Sequence, residues 1–287
     1  VKRSKLLYLF LLPGTLLYLL FFIYPTINGL KLSFTDWDGI NPVYHYVGFD
    51  QYAQLAKDTV FHKAFGNNLK FMFTVVLFQT GLSLLFALLL VKNSKVNVYL
   101  RALLFFPTII SSVSVAFIWS FMYDPNIGMV NMVLERVGLG AISQSWLGDP
   151  QMAIYSIAFT QIWAHTGQMM VIFIAGLQAI PEELYEAVHL EGANRWQVFR
   201  FVTWPLVAPA ATMVVAYTTI QSFKAFDLIF AMTGGGPAYS TEILSTFIYH
   251  TAFQGMHFGY AAAASMVFMV IIGIITFLQF RLLKRAV

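Results

Sequence analysis

EAVHLEGANRWQVFRFVTWPLVAP, residues 186–209, is the one clearly amphipathic, charged passage between two long apolar segments of a very hydrophobic chain. Glu183, Glu186, Glu191, Arg195 and Arg200 fall within it or at its edge, and Leu184, Ala187, Leu190 and Ala193 recur between them at helical spacing. Gly192 stands mid-way, where a helix can break or bend, because glycine adopts backbone angles closed to other residues. Pro205 and Pro209 mark the approach to the next apolar run. Proline is tolerated in a first helical turn, where its missing N–H has no intrahelical partner. Taken by spacing alone, the passage is a surface loop between two membrane helices.

Composition says why the neighbours are membrane helices. The 287 residues are 59% hydrophobic and 10% charged, with a mean hydropathy of +0.70. A soluble domain carries about 25% charged residues, so this chain cannot coat a water-facing surface of its size and belongs among bilayer lipids. The net charge of +4 fits lysines and arginines at the inner ends of helices rather than nucleic-acid binding. With no cysteine, disulfides, thiol catalysis and thiolate metal sites are excluded.

Six apolar segments approach the roughly 20 residues needed to cross: Leu6–Ile23, Leu69–Val91, Leu103–Met122, Met152–Leu177, Leu206–Phe223 and Tyr260–Leu283. All are expected to be helical, since backbone groups in lipid must pair within their own segment. The first reads as a retained span behind Lys2, Arg3 and Lys5, with no small-residue cleavage site after it. With the amino terminus inside, the inner segments hold eleven lysines and arginines against six in the outer ones, the sign that the positive-inside rule requires. Lys92–Arg101 and Arg281–Arg285 are the short basic stretches that weigh most. Both termini and residues 186–209 are therefore expected in the cytoplasm.

Outside, Asp36, Asp38, Asn41 and Pro42 signal turns, Phe49–Phe65 carries a helical rhythm, and Trp37, Tyr44, Tyr46 and Phe49 suit the membrane–water boundary or a carbohydrate ring. Pro107 predicts a kink near the inner end of the third span. In the fourth, Gln161, His165 and Gln168 share one helix face. Tyr217, Gln221 and Lys224, with Thr218 and Ser222 alongside, repeat the arrangement in the fifth. Polar groups at that depth face a bundle interior or a wet cavity, so the stripes either fix helix packing or line a translocation path. Lys224 and Asp227, three residues apart, are spaced to pair. AMTGGGPAYSTEIL, residues 231–244, cannot be a helix interior. Its glycines are not followed by the lysine of a phosphate-binding loop. His62, His250 and His257 have no carboxylate cluster near them and predict no metal site.

Glu186-Ala187, Glu191-Gly192-Ala193, Phe199, Pro205 and Pro209 together resemble the EAA loop of ATP-binding-cassette importer permeases, spanning about residues 182–205. Val188 replaces the third alanine and Glu191 stands where aspartate is commoner. The TGGGP run resembles that of sugar-importer permeases related to the larger maltose-transporter subunit. The FTDWDG turn, VGFDQY and a short helix leading into the second span at Asn67–Asn68 fit the same family. The resemblance implies an all-α, six-span, single-domain permease of the type I importer fold with a cytoplasmic coupling helix. It implies a short helix, a bend at Gly192 and a second piece, with Glu186, Ala187, Glu191, Gly192, Ala193 and Arg195 meeting a separate ATPase subunit. It places substrate contacts on the flanking spans, where Gln161, His165, Gln168, Tyr217, Thr218 and Gln221 lie. The implied partners are ATPase subunits, a second and different permease, an extracytoplasmic solute-binding protein and a sugar, in the cell membrane of a bacterium or archaeon. A glycerol phosphate-type solute is the alternative within the family.

This chain is expected to bind no cofactor, ATP and magnesium being used by the partner, because it lacks GxxxxGK[ST]. An ion-coupled transporter would need intramembrane carboxylates or broken inverted repeats, and all 13 acidic residues fall in predicted loops or near helix ends. A membrane enzyme would need paired carboxylates, a His–Glu metal motif or a nucleophile elbow, none of which occurs.

Overall fold

The computed structural model describes residues 10–283. Lys2, Arg3, Lys5, the start of the predicted first span at Leu6, and the basic Lys284 and Arg285 lie outside the described residues. In chain order the helices are α1 (Leu12–Leu32), α2 (Asp50–Leu55), α3 (Thr59–Leu90), α4 (Lys95–Phe105), α5 (Ser112–Met122) and α6 (Met129–Arg136), then α7 (Ala153–Gln178), α8 (Glu182–Leu190), α9 (Arg195–Phe223), α10 (Phe226–Thr233), α11 (Leu244–Tyr249) and α12 (Phe258–Leu283). Among the described residues the only β pairing is an isolated bridge between Thr35 and Tyr46. Among the described residues five helices are long and apolar enough to cross a membrane, and the bent pair containing α4 and α5 makes a sixth crossing if counted as one.

Proline placement explains several boundaries that differ from the sequence expectation. Pro25 and Pro205 each follow a π-helical turn, Leu19–Ile23 and Phe199–Thr203. In both, the residue before the proline donates five residues back, Tyr24 to Leu19 and Trp204 to Phe199. The extra residue widens the helix where the pyrrolidine ring would otherwise strike a carbonyl. So α1 continues to Leu32, beyond the expected core end at Ile23, and α9 begins at Arg195, eleven residues before the expected Leu206. The expected third span, Leu103–Met122, is not one rod: Lys95–Ile109 and Ser112–Met122 meet at 99°. Pro107 sits in the 3-10 turn that ends the first piece. Ser111 then caps α5, its Oγ accepting the Ser114 N–H at 3.3 Å. Asn67 and Asn68, expected where the short outer helix meets the second span, lie well inside α3, which Asp58 caps by accepting from Val60 and Phe61.

The chain divides into two compact units. One comprises the segment up to Phe61 and Phe247–Ile271. Within it the turn after α1 is tied by carboxylates. Asp36 Oδ1 accepts the His45 N–H at 2.7 Å, and Asp38 Oδ1 accepts from Ile40 and Asn41 at 3.0 and 2.9 Å. These backbone N–H groups hold both carboxyls below the ordinary aspartate range. Trp37 C=O accepts the Gly259 N–H at 2.8 Å, and Tyr260 donates to Asp58 Oδ2 at 2.8 Å, joining this turn to the start of α12.

The other unit comprises His62–Thr246 and the chain from Ile272. Its centre is α7, most of whose residues are buried. Two apolar clusters flank that helix. One gathers Phe71, Trp119, Ile157 and Ile229, the other Ala87, Met170, Phe173 and Val207. Gly167 permits the closest approach: a Cβ there would lie 2.0 Å from the Leu104 carbonyl oxygen. Beside it, Thr108 donates to the Ala164 C=O at 2.8 Å and Ser83 to the Thr166 C=O at 2.9 Å. Hydroxyls bonding to backbone across helices thus hold α3 and the α4–α5 break against α7.

Candidate functional site

Residues 182–209 fold as helix, turn, helix. Pro181 and then Glu182 and Glu183 open α8, with the two carboxylates in the first turn where the helix dipole favours negative charge. The helix ends in a Schellman pair: Ala193 N–H donates to Val188 C=O at 3.2 Å and Gly192 N–H to His189 C=O at 3.0 Å. Gly192 has φ +77°, the left-handed conformation that this closure requires. Asn194 and Gln197 then form a reciprocal capping box at 2.8 and 3.0 Å that starts α9. The bend expected at Gly192 is therefore a fixed turn with its backbone bonds satisfied.

No residue of α8 is buried, and Leu190 is 90% exposed. Glu186, Ala187, Glu191 and Arg195 are exposed and Ala193 is partly so. Asp36 and His45 form an ion pair at 3.4 Å elsewhere in the chain, whereas among the described residues Glu186 and Arg195 have no charged partner. One side chain ties the helix back: Tyr185 packs on the cluster that holds Ala87, Met170, Phe173 and Val207, with its hydroxyl 3.2 Å from Thr203 Oγ1 in the π turn of α9. The rest of the helix–turn–helix is a mixed charged and apolar surface.

The helices on either side of that turn meet at a polar cavity of about 300 Å³. Gln161 and His165 enter it from α7, Tyr217 and Gln221 from α9. His165 Nδ1 and Gln221 Oε1 are buried there without a hydrogen-bond partner. An orphaned buried polar atom costs about 1–3 kcal/mol, so neither earns its place by packing. Gln168 is not among the lining residues, and its Nε2 donates to the Tyr217 hydroxyl at 3.4 Å. Thr218, expected on the same path, faces away: it is fully buried and accepts from Gln79 of α3 at 3.4 Å. Its position one residue after Tyr217 turns it about 100° round the helix.

Lys224 of the predicted stripe lines the cavity too, and with it two polar residues that the sequence pattern did not assign there, Ser112 and Asp227. Ser112 arrives because the α4–α5 break turns the start of α5 inward. Lys224 and Asp227 line the cavity where α9 stops and α10 starts. Their expected pairing does not form. The helix breaks between them, with Phe226 N–H donating to Lys224 C=O at 2.8 Å, so the i, i+3 spacing of one helix no longer applies. Among the described residues no group of three or more histidines and carboxylates could hold a metal. Below α10, the TGGGP run closes as a compact turn. Its Thr241 hydroxyl lies 2.7 Å from that of Thr233, and Asn67 donates to the Tyr239 and Glu242 carbonyls at 2.9 and 3.0 Å.

Residues 79–287 match the family described as the inner membrane component of binding-protein-dependent transport systems. A probable ABC transporter permease protein of Pyrococcus horikoshii is 35% identical over 90% of this chain and 89% of its own length. The multiple sugar-binding transport system permease protein of Streptococcus mutans is 33% identical over 96% of this chain and 94% of its own. Among solved structures, a chain of a bacterial alginate ABC transporter, in complex with an alginate pentasaccharide-bound periplasmic protein, superposes with a TM-score of 0.85 at 26% identity. That match covers 99% of this chain and 96% of the other.

Proposed function

This chain belongs to the inner membrane components of binding-protein-dependent transport systems, and on that premise we propose that it carries a neutral saccharide across the cell membrane by alternating access. It is a multi-pass importer permease, and in this reading ATP hydrolysis falls to a separate subunit. The observation that carries the substrate class is the cavity with its two orphaned polar atoms, His165 Nδ1 and Gln221 Oε1. Amide, imidazole and hydroxyl groups both donate and accept, as a sugar hydroxyl does. The sugar names of relatives support the same class. A phosphate ester fits less well, because the single lysine lining the cavity shares it with Asp227.

In this reading the binding protein delivers a sugar from outside, and α8 docks on a separate ATPase subunit that uses ATP and magnesium. This chain binds neither. Glu186 pairs there with a basic residue, and a second, different permease completes the transmembrane core. Both termini and α8 lie in the cytoplasm, as the charge asymmetry argues. ATP-driven closure biases a two-state bundle, and because α8 is covalently continuous with both cavity walls, one push moves both. The experiment is uptake of labelled disaccharides by proteoliposomes holding the complete importer, with ATP inside. ATP-dependent uptake that Glu186→Ala abolishes, together with loss of ATPase co-purification, is the expected result. Uptake in ATP-free vesicles on an ion gradient refutes the reading.

A further inference from the structure

A second polar cavity lies wholly within the unit formed by the chain up to Phe61 and Phe247–Ile271, and nothing in the transport reading uses it. Its volume is about 450 Å³, inside the range of small-ligand sites. The turn after α1 supplies Asp36 and Trp37, and α2 supplies Gln51 and Gln54. Thr251, His257 and Tyr260 close it from the other chain segment.

The bonds already made inside this cavity say what it still offers. Asp36 is engaged by the His45 backbone and ring, and Asp58 by two backbone N–H groups and the Tyr260 hydroxyl. The carboxylates are thus occupied in holding the walls. Gln51 gives its N–H to the Thr35 C=O at 2.9 Å, which leaves its Oε1 as an acceptor. The side chains of Gln54, Thr251 and His257 line the cavity and make no hydrogen bond among the described residues. The free groups are therefore an amide, a hydroxyl and an imidazole, able to donate and accept. Trp37, fixed by its Nε1 bond to the Asn41 C=O and by Phe258 at 5.5 Å, adds a rigid aromatic wall. A basic side chain would ask for acceptors alone. Neutral groups of dual character beside an aromatic ring suit a polyhydroxylated ring, whose C–H face is apolar and whose rim both donates and accepts.

We infer that this cavity is a second saccharide subsite, separate from the one between α7 and α9, taking a neutral sugar unit against Trp37 with its hydroxyls on Gln54, Thr251 and His257. The inference rests on the carbohydrate reading and on the orientation that puts this turn outside. There the subsite holds a sugar at the extracytoplasmic face.

The test is equilibrium binding of radiolabelled maltose, cellobiose, xylobiose and diacetylchitobiose to the complete importer in nanodiscs, without the binding protein. It is run beside ATP-driven uptake of the same four sugars. His165→Leu with Gln221→Leu removes the inner site. The expected result is that binding of at least one sugar survives that double change and weakens tenfold or more when Gln54→Ala and Thr251→Val are added. Neither residue makes a structural hydrogen bond through its side chain, so folding is not at stake, whereas Trp37→Leu, which loses a fixed bond, is the confirming variant. Sugar binding that vanishes with the inner site, or that ignores Gln54 and Thr251, overturns the proposal. Unchanged sugar binding with weaker capture of the binding protein also overturns it and makes the cavity a protein-docking pocket. If uptake of all four sugars fails in the unaltered importer, the carbohydrate reading falls; if uptake stands and only the outer binding is missing, the subsite alone falls.

Discussion

Gly192 offers the sharpest test of how α8 is built. Its φ of +77° lies where an L side chain is strained, and a Cβ placed there would meet no heavy atom within 4 Å. Alanine therefore loses no contact and causes no clash; the whole effect is backbone strain, about 1–2 kcal/mol in the left-handed region. If the docked state needs this turn, that strain weakens ATPase binding by a factor of about 5–30. Asparagine, which tolerates left-handed angles, restores most of the loss despite its larger side chain. Valine, β-branched, falls below alanine. The assay is a titration of the ATPase subunit onto permease in nanodiscs, read by fluorescence, with ATP-driven uptake alongside. The order expected is glycine, then asparagine, alanine and valine. An order that follows side-chain size, with asparagine below alanine, refutes the backbone argument, and four equal affinities remove this turn from the docking surface.

Other perturbations separate structure from function in the same way. Gln221→Leu relieves an orphaned buried oxygen, so the transition temperature is expected to rise, by roughly 1–3 kcal/mol of stability, while saccharide uptake falls; thermal unfolding and uptake on one preparation check both signs. Gly167→Ala drives a methyl against the Leu104 carbonyl oxygen and should cost roughly 1–3 kcal/mol as overpacking, seen as a lower transition temperature with the α4–α5 break displaced. The Asp38 carboxyl is held low by the Asn41 and Ile40 N–H groups. Its capping of the outer turn is fully present above the unfolded aspartate range, about pH 4, and is lost as pH falls towards the depressed value. Proteolysis of residues 36–46 should therefore speed up below that range in the natural chain, and Asp38→Asn should remove the step.

The helical class, the positions of the apolar segments and the turn at Gly192 were legible because each rests on local chemistry: hydropathy over some 20 residues, and one glycine between two amphipathic pieces. What escaped was non-local or depended on helix geometry finer than periodicity. A proline looks like a boundary until a π turn is seen to carry the helix through it, as at Pro25 and Pro205. Of the stripe Gln161, His165 and Gln168, the first two line the cavity while Gln168 is engaged by Tyr217, a difference that periodicity alone does not show. Ser112 could not be placed beside them from sequence, since that depends on the 99° turn between α4 and α5. Thr218 was grouped with Tyr217 by adjacency, and adjacency in a helix separates side chains by about 100°.

The attachment of α8 constrains how force can reach the cavity. Apart from its two covalent ends, the side-chain bond that ties this exposed helix to the bundle among the described residues is Tyr185 to Thr203, at the π turn of α9. At the other end Gln178, the last residue of α7, donates to the Val91 C=O at 3.3 Å, and Arg101 of α4 bonds the same carbonyl at 2.7 Å. A displacement of α8 thus loads the end of α7 against a carbonyl already clamped by α4, and loads α9 at its widened turn. A π turn has one backbone bond out of the regular ladder and is the softer of the two. The wall bearing Tyr217 and Gln221 should therefore move before the wall bearing Gln161 and His165. Spin labels at Met213 on α9 and Val171 on α7, both exposed, measure this directly when each is paired with a label on α3. In the Tyr185→Phe variant, which cuts the tie to Thr203, the nucleotide-dependent shift at Met213 is expected to shrink while that at Val171 persists. Equal loss at both positions refutes a path through the π turn.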